Sequence, residues 1–211
     1  MVSYEFSVAQ GLIKLDPTFG TNGISEIGFS GKVFYCTDAF RQIDGKIVCG
    51  GDIQEDWPYE FDDDFCFFRL NQNGTIDPSF QSVVYFNEHP GKIETLFKID
   101  TQTNGHILAV GRVDSDKLGI CRLNPTNGQL ENGFGPYYGR QIFPAYTDRA
   151  DFILTQDEKI ILMGRNSPNA NTILYKLNAN GSLDSDFGDA GKSILKPMFP
   201  YKGLMGNSLV V

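Results

Sequence analysis

Seven acidic side chains fall between positions 52 and 64: Asp52, Glu55, Asp56, Glu60, Asp62, Asp63 and Asp64. Carboxylates at this density suit two chemistries, oxygen ligation of calcium and the paired acid and nucleophile of a glycosidase. Trp57, the only tryptophan, and Tyr59 lie in the same stretch. Their rings could stack on a sugar or fill a pocket of a partner. Trp57, Tyr59, Asp62, Asp63 and Asp64 are therefore the candidate binding residues. A solvated acidic loop fits the same pattern, because unpaired charged side chains favour water.

Other reactive residues are sparse. Cys36, Cys49, Cys66 and Cys121 form no C-x-x-C pair, and His89 and His106 are the only imidazoles. Structural zinc sites show closely spaced ligand pairs, so no metal or cofactor is assigned. Each cysteine sits in an apolar run, where a thiol behaves as a small hydrophobe. A Cys36–Cys49 or Cys49–Cys66 bridge would need an oxidised protein. Asn71–Asp77 and Asn178–Asp184 partly match a calcium loop but lack its late bidentate carboxylate, and they read better as turns. No Gly-x-Ser-x-Gly elbow and no phosphate loop is present. No catalytic residue is assigned, and the chain is expected not to be an enzyme.

The bulk numbers narrow the partners. With 18 basic and 26 acidic residues the net charge is −8, which repels nucleic-acid phosphates. No apolar run reaches the roughly 18 residues of a membrane helix. The opening Met1–Phe6 has no signal-peptide character. Partners are expected to be proteins, within a larger assembly, or glycans.

What must position these side chains is a repeat. Leu15-Asp16-Pro17-Thr18-Phe19-Gly20 returns as Ile76-Asp77-Pro78-Ser79-Phe80, Leu130-Glu131-Asn132-Gly133-Phe134-Gly135 and Leu183-Asp184-Ser185-Asp186-Phe187-Gly188. Asp44-Gly45-Lys46-Ile47-Val48 matches Asn104–Leu108 and Asp157–Ile161. Arg69-Leu70-Asn71 matches Arg122-Leu123-Asn124 and Lys176-Leu177-Asn178. Units run over about 15–75, 76–129 and 130–182, with partial units 1–14 and 183–211, in one domain. The first unit is the longest, and residues 54–63 hold most of its extra length, where loops on a rigid scaffold carry recognition.

Each unit reads as four strands, in the first copy about 23–29, 33–42, 46–53 and 64–71. Asp-Gly and Asn-Gly pairs suit the hairpin turns, and Asp-Pro suits a tight corner whose carboxylate accepts backbone N–H groups. The phenylalanine after each corner (Phe19, Phe80, Phe134, Phe187) reads as a plug between units. Arg69, Arg122 and Lys176 recur at one position, so they read as structural, with Asp77 and Asp184 as partners. Cys66, Phe68 and Leu70 line one strand face and Phe65 and Phe67 the other; Cys121 and Leu123 oppose Leu118 and Ile120 in the second copy. A strand apolar on both faces needs cover on both. Without amphipathic helices that cover is other sheets, stacked around an axis as a small all-β propeller of four-stranded blades.

These motifs resemble the delta-60 repeat family from Leu15 onward. The resemblance implies propeller-like blades and a bacterial or phage setting, with a structural or binding module on a virion or bacterial surface as the expected role. A carbohydrate-active enzyme using residues 52–64 is the alternative, and a cytoplasmic scaffold would suit the thiols. The pattern breaks at Glu131-Asn132-Gly133, which lacks the proline, and at Asp157-Glu158, which lacks the turn glycine. About four repeats are expected, the N-terminal strand Tyr4–Ala9 completing the last blade beside Leu209–Val211, since a free apolar edge strand invites aggregation.

Overall fold

The computed structural model describes residues 14–55, 63–84, 86, 93–114, 117–145, 147–166 and 171–196. Twelve strands fall among them and no helix. The first sheet holds β1 (Lys32–Arg41), β2 (Ile47–Glu55), β3 (Asp63–Leu70) and β4 (Ile76–Val84). The second holds β5 (Thr95–Thr101), β6 (Ile107–Val113), β7 (Lys117–Leu123) and β8 (Arg140–Phe143). The third holds β9 (Asp151–Leu154), β10 (Ile160–Asn166), β11 (Asn171–Leu177) and β12 (Lys192–Leu195). Every sheet is an antiparallel meander in chain order. First strands meet first strands: β5 packs beside β1 and β9. The sheets therefore splay from a line of inner strands, in a propeller-like arrangement.

The two-faced apolar strands are covered as the pattern requires. Phe65 and Phe67 join Leu96, Ile107, Cys121 and Leu123 between the first and second sheets. Leu118 and Ile120 join Phe152, Leu162, Ile173 and Tyr175 between the second and third. Phe68, Leu70 and Cys49 face Phe19, Ile27 and Phe29 on the outer flank of the first sheet. A fully buried aromatic or branched aliphatic side chain contributes about 1.5–3 kcal/mol, so these layers are the main source of stability.

The sheets are cut from the sequence at a different phase from the expected one. Gly23–Phe29 is not the first strand of the first sheet. Its region holds only isolated bridges, Thr21 to Ile24 and Phe29 to Lys32, and it packs on the flank of that sheet through Ile27 and Phe29. The fourth strand of each sheet instead follows the Leu-Asp corner of the next repeat: Leu70 pairs with Ile76, Leu123 bridges Leu130 and Leu177 bridges Leu183. One repeat thus begins in one sheet and ends in its neighbour, which laces the sheets together through the chain.

The corner aspartates and the turns have the expected local chemistry, although Asp77-Pro78 lies inside β4, at its register shift, rather than in a separate turn. Asp77 Oδ1 accepts from Ser79 N at 3.0 Å and Ser79 Oγ at 2.6 Å, and Asp16 Oδ1 does the same for Thr18. Turn glycines Gly45 and Gly105 have φ of 85° and 87°, and Glu158 takes the same position in the third copy at 62°. The glutamate therefore adopts a left-handed conformation that disfavours a side chain.

Candidate functional site

Two ends follow from the meander. The β1–β2 and β3–β4 turns lie at one end of the first sheet, and the segments after β2 and β4 lie at the other. The described ends of the acidic stretch, Glu55 of β2 and Asp63 of β3, lie at this second, loop end. Trp57, Tyr59 and Asp62 lie outside the described residues, as does His89. Asp63 and Asp64 open β3, opposite Gln54 and Ile53 of β2. Asp64 is buried.

The second sheet contributes side chains that the sequence did not single out. Asp63 O accepts from Glu94 N at 2.9 Å, and the fully buried Glu94 accepts from Phe86 N at 3.0 Å through Oε1. Asp52, in the middle of β2, accepts from Leu96 N at 2.6 Å. Arg112 of β6 donates to Thr95 Oγ1 at 2.9 Å. Its buried Nε has no hydrogen-bond partner among the described residues. Burial pushes the Asp52 carboxyl up to about 7; the Leu96 N–H pulls it back, the Asp63 charge adds to the rise and Arg112 opposes it. A carboxyl group held near neutrality is poised for proton transfer. It also fastens the inner strand of the second sheet to the first. Among the described residues no three His, Cys, Asp or Glu side chains converge as metal ligands do.

The same fastening recurs along the inner strands. Asp38 Oδ2 accepts from Ile99 N at 2.9 Å, while Lys98 Nζ donates to Asp151 Oδ1 at 2.8 Å and Phe152 O at 2.9 Å. Asp38 and Lys98 each follow a bulge, between Cys36 and Asp38 on β1 and between Leu96 and Lys98 on β5. A bulge turns backbone N–H groups out of the ladder, and the aspartates of the neighbouring sheet receive them.

At the turn end, the repeated polar residues form a clamp. Arg69 donates to Asp77 through Nε at 2.9 Å, and Lys46 Nζ reaches the same oxygen at 2.7 Å. These cations hold the Asp77 carboxyl well below the ordinary range, with Lys46 contributing most and Ser79 assisting. Arg69 then crosses to the second sheet, where it donates to Pro125 O at 2.7 Å and Thr126 O at 3.0 Å. Its guanidinium lies over the Phe80 ring, 4.7 Å from the centroid. Arg122 repeats this over Phe134 at 4.9 Å and donates to Ala179 O of the third sheet at 2.9 Å. Lys159 and Lys176 both reach Asp184, at 2.9 and 3.5 Å. In the middle copy His106 and Glu131 replace Lys and Asp, 3.5 Å apart. The plugs are locked from the next sheet: Gly20 N donates to Asn73 O at 2.7 Å and Gly135 N to Asn180 O at 2.8 Å. Gly181 leaves room for its plug, since a Cβ there would come within 2.9 Å of the Phe134 ring.

All four cysteines are free thiols, three of them buried. Cys49 stands opposite Ala39 and Phe68 rather than opposite another cysteine. Burial raises Cys66 to about 12 and raises Cys121 as well, as expected of packing thiols. A hydrogen bond from Cys49 pulls the exposed Cys36 below the usual thiol range.

With this geometry in hand, the chain can be set beside known proteins. A family model described as "Domain of unknown function (DUF5122) beta-propeller" matches residues 42–80 and 155–187. Both stretches run from the first turn of a clamp to its plug, and neither covers the middle copy with its altered corner. No curated protein matches. Among solved structures, one described as an exo-beta-1,3-galactanase from Bifidobacterium bifidum s17 is similar at 11% identity with a TM-score of 0.43, covering 70% of this chain and 47% of that one. The chain thus spans about half the length of that structure. The repeats are propeller-like; a likeness at this level carries no argument about activity.

Proposed function

We propose that the chain is a non-enzymatic structural or binding module that presents its loop end to protein or glycan partners. The carrying observation is the fate of the repeated polar residues. Lys46, Arg69, Asp77 and their counterparts are engaged in clamps within their own sheets, and Arg69 and Arg122 also cross to the next sheet, so recognition falls to the segments that differ between copies. Among the segments between second and third strands the first repeat's is the longest, and it leads from Trp57 and Tyr59 to Asp62–Asp64. A virion tail or capsid position, or a bacterial surface, is the proposed setting, and the resemblance of the repeats to bacterial and phage proteins supports it. Four blades form the proposed ring, the last built from both ends of the chain.

One observation favours a second reading. Asp52, lifted to about 7 by burial, has the poise of a catalytic acid, so a carbohydrate-active enzyme competes. Glycan binding and reducing-sugar release, measured together on the parent, on the Asp62→Asn/Asp63→Asn/Asp64→Asn triple variant and on Asp52→Asn, separate the two. The module reading expects binding that falls in the triple variant, with no sugar released by any protein. Turnover by the parent that collapses in Asp52→Asn instates the enzyme.

A further inference from the structure

We infer that the cleft at the turn end, between the first and second sheets, is a docking site for a protein partner's segment carrying a carboxylate beside an apolar side chain. The inference rests on the binding-module reading but uses the opposite end of the molecule. The cleft holds about 650 Å³, inside the range of sites that enclose a ligand. Phe40, Ile43 and Pro125 supply its apolar lining, Arg41, Lys46 and Arg69 its cations and Asp44 its one carboxylate.

Two of those cations already share one carboxylate. Lys46 and Arg69 both hold Asp77, at 2.7 and 2.8 Å. Arg41 has neither an ion pair nor a hydrogen bond from its side chain among the described residues. Its guanidinium lies along the turn, where a Cβ on Gly45 would come within 3.0 Å of Nη2. Beside it Ile43 is fully exposed at the tip of the same turn.

Comparison between copies separates fold from function. Gln42, Gly45 and Lys46 belong to the clamp and have counterparts in Gln102, Gly105 and His106. The counterparts of Arg41 and Ile43 are Thr101 and Thr103 in the second copy, and Leu154 and Gln156 in the third. The joint therefore needs neither a guanidinium nor a branched aliphatic residue here. The three cations of the cleft outnumber the two carboxylates that serve them, Asp44 in the lining and Asp77 in the clamp, so the guanidinium of Arg41 is complementary to a further carboxylate, which an arginine fork binds with two parallel hydrogen bonds. Phe40, the one aromatic ring of the lining, is partly buried against the core cluster and is not a free platform for a sugar ring, so a peptide with a branched apolar side chain fits better than a saccharide.

The test titrates the full chain with acetyl-Leu-Glu-Leu-amide and with its Gln twin, following the amide NMR signals of Gly45 and Gly105. The Glu peptide is expected to bind about tenfold more tightly than the Gln peptide. Arg41→Gln should erase that preference, Arg41→Lys should keep part of it, and Ile43→Ser should weaken both peptides alike. Both side chains are exposed, and an otherwise unchanged amide spectrum verifies the fold of each variant. Equal affinity for the two peptides, no shift at roughly 10 mM peptide, or a response to sodium glucuronate without one to peptide would overturn the assignment. Failure here with partner binding still lost in the Asp62–Asp64 variant leaves the module reading intact; success here with turnover by the parent sinks that reading alone.

Discussion

Asp77 shows how a repeat fixes one side chain by giving it several duties. One oxygen receives Ser79 and closes the corner; the other receives Lys46 and Arg69 and holds Arg69 in line for the next sheet. Its ionised form is favoured on folding, so its folded pKa lies below the unfolded one. The resulting stability is present above the ordinary aspartate range of about 4 and is lost as pH falls through and below it. Asp77→Asn removes the charge that two buried or half-buried cations face, and should cost about 3 kcal/mol at neutral pH. It should also flatten the acid limb of a plot of urea midpoint against pH between about pH 2 and pH 7. Parallel acid limbs in the two proteins would show that the clamp contributes nothing through ionisation. Arg69 is the more exposed to failure of the pair, because a carboxylate left with Lys46 keeps a charged partner, whereas Arg69 left without Asp77 keeps only neutral acceptors, two carbonyls, Gln42 and Ser79.

At the scale of the strand, the bulges on β1 and β5 decide how close the sheets come, and two glycines permit them. Neither Gly51 nor Gly111 has a positive φ, so the requirement is one of space. A Cβ on Gly51 would sit 1.9 Å from Tyr35 O, and one on Gly111 would sit 2.1 Å from Thr95 O and 2.5 Å from Phe65 Cζ. Gly111→Ala should therefore push β5 from β6 and press on the Phe65 layer, lowering stability by about 3 kcal/mol in chemical denaturation. In the Gly105→Ala comparison the added Cβ meets only an ordinary contact, 3.8 Å from Pro125, and acts through the φ of 87° instead. A Gly111→Ala midpoint equal to that of the parent would mean that the bulge does not set the spacing.

The strands themselves were legible because their apolar residues occupy both faces, and the hairpins because Asp-Gly and Asn-Gly demand a left-handed turn. The phase of the sheets was not. A repeat reads the same wherever it is cut, and only the bridges of Leu123 to Leu130 and Leu177 to Leu183 show that each corner feeds an outer strand of the sheet before it. The clamp partners Arg69 with Asp77 and Lys176 with Asp184 were visible from their recurrence. The Asp52–Leu96 and Asp38–Ile99 contacts were not, since each joins residues of different copies across a bulge. Gly51 and Gly111, set in otherwise apolar strands, were the signal for those bulges.

For the whole molecule, the proposed ring of four has one blade beyond the three described sheets, and the joints say what that blade must do. Each described joint has a plug from one repeat and a receiving turn from the sheet beyond it. Phe19 and Gly20 meet the Asn73-Gly74 turn of the first sheet, yet the segment that carries them is an outer strand by its place in the repeat, and its own sheet is not among those three. At the far side, Phe187 lies beneath Lys176, 5.8 Å from the ring centroid, and presents the third sheet's plug. A single further blade would both receive Phe187 and own the 14–31 segment. In the proposed ring Tyr4–Ala9 supplies its third strand. Removing residues 1–9 should then strip a central strand and lower the melting temperature by on the order of 10 °C, with loss of solubility as apolar edges open. Phe187→Ala in the full chain should give part of the same loss, because a plug filled by a neighbouring blade contributes about 3–5 kcal/mol when aromatic. A truncated protein that melts at the parent temperature would refute closure. A parent that runs as a dimer in solution, and becomes monomeric on truncation, would place the same joint between two chains, with each plug seated in its partner's turn.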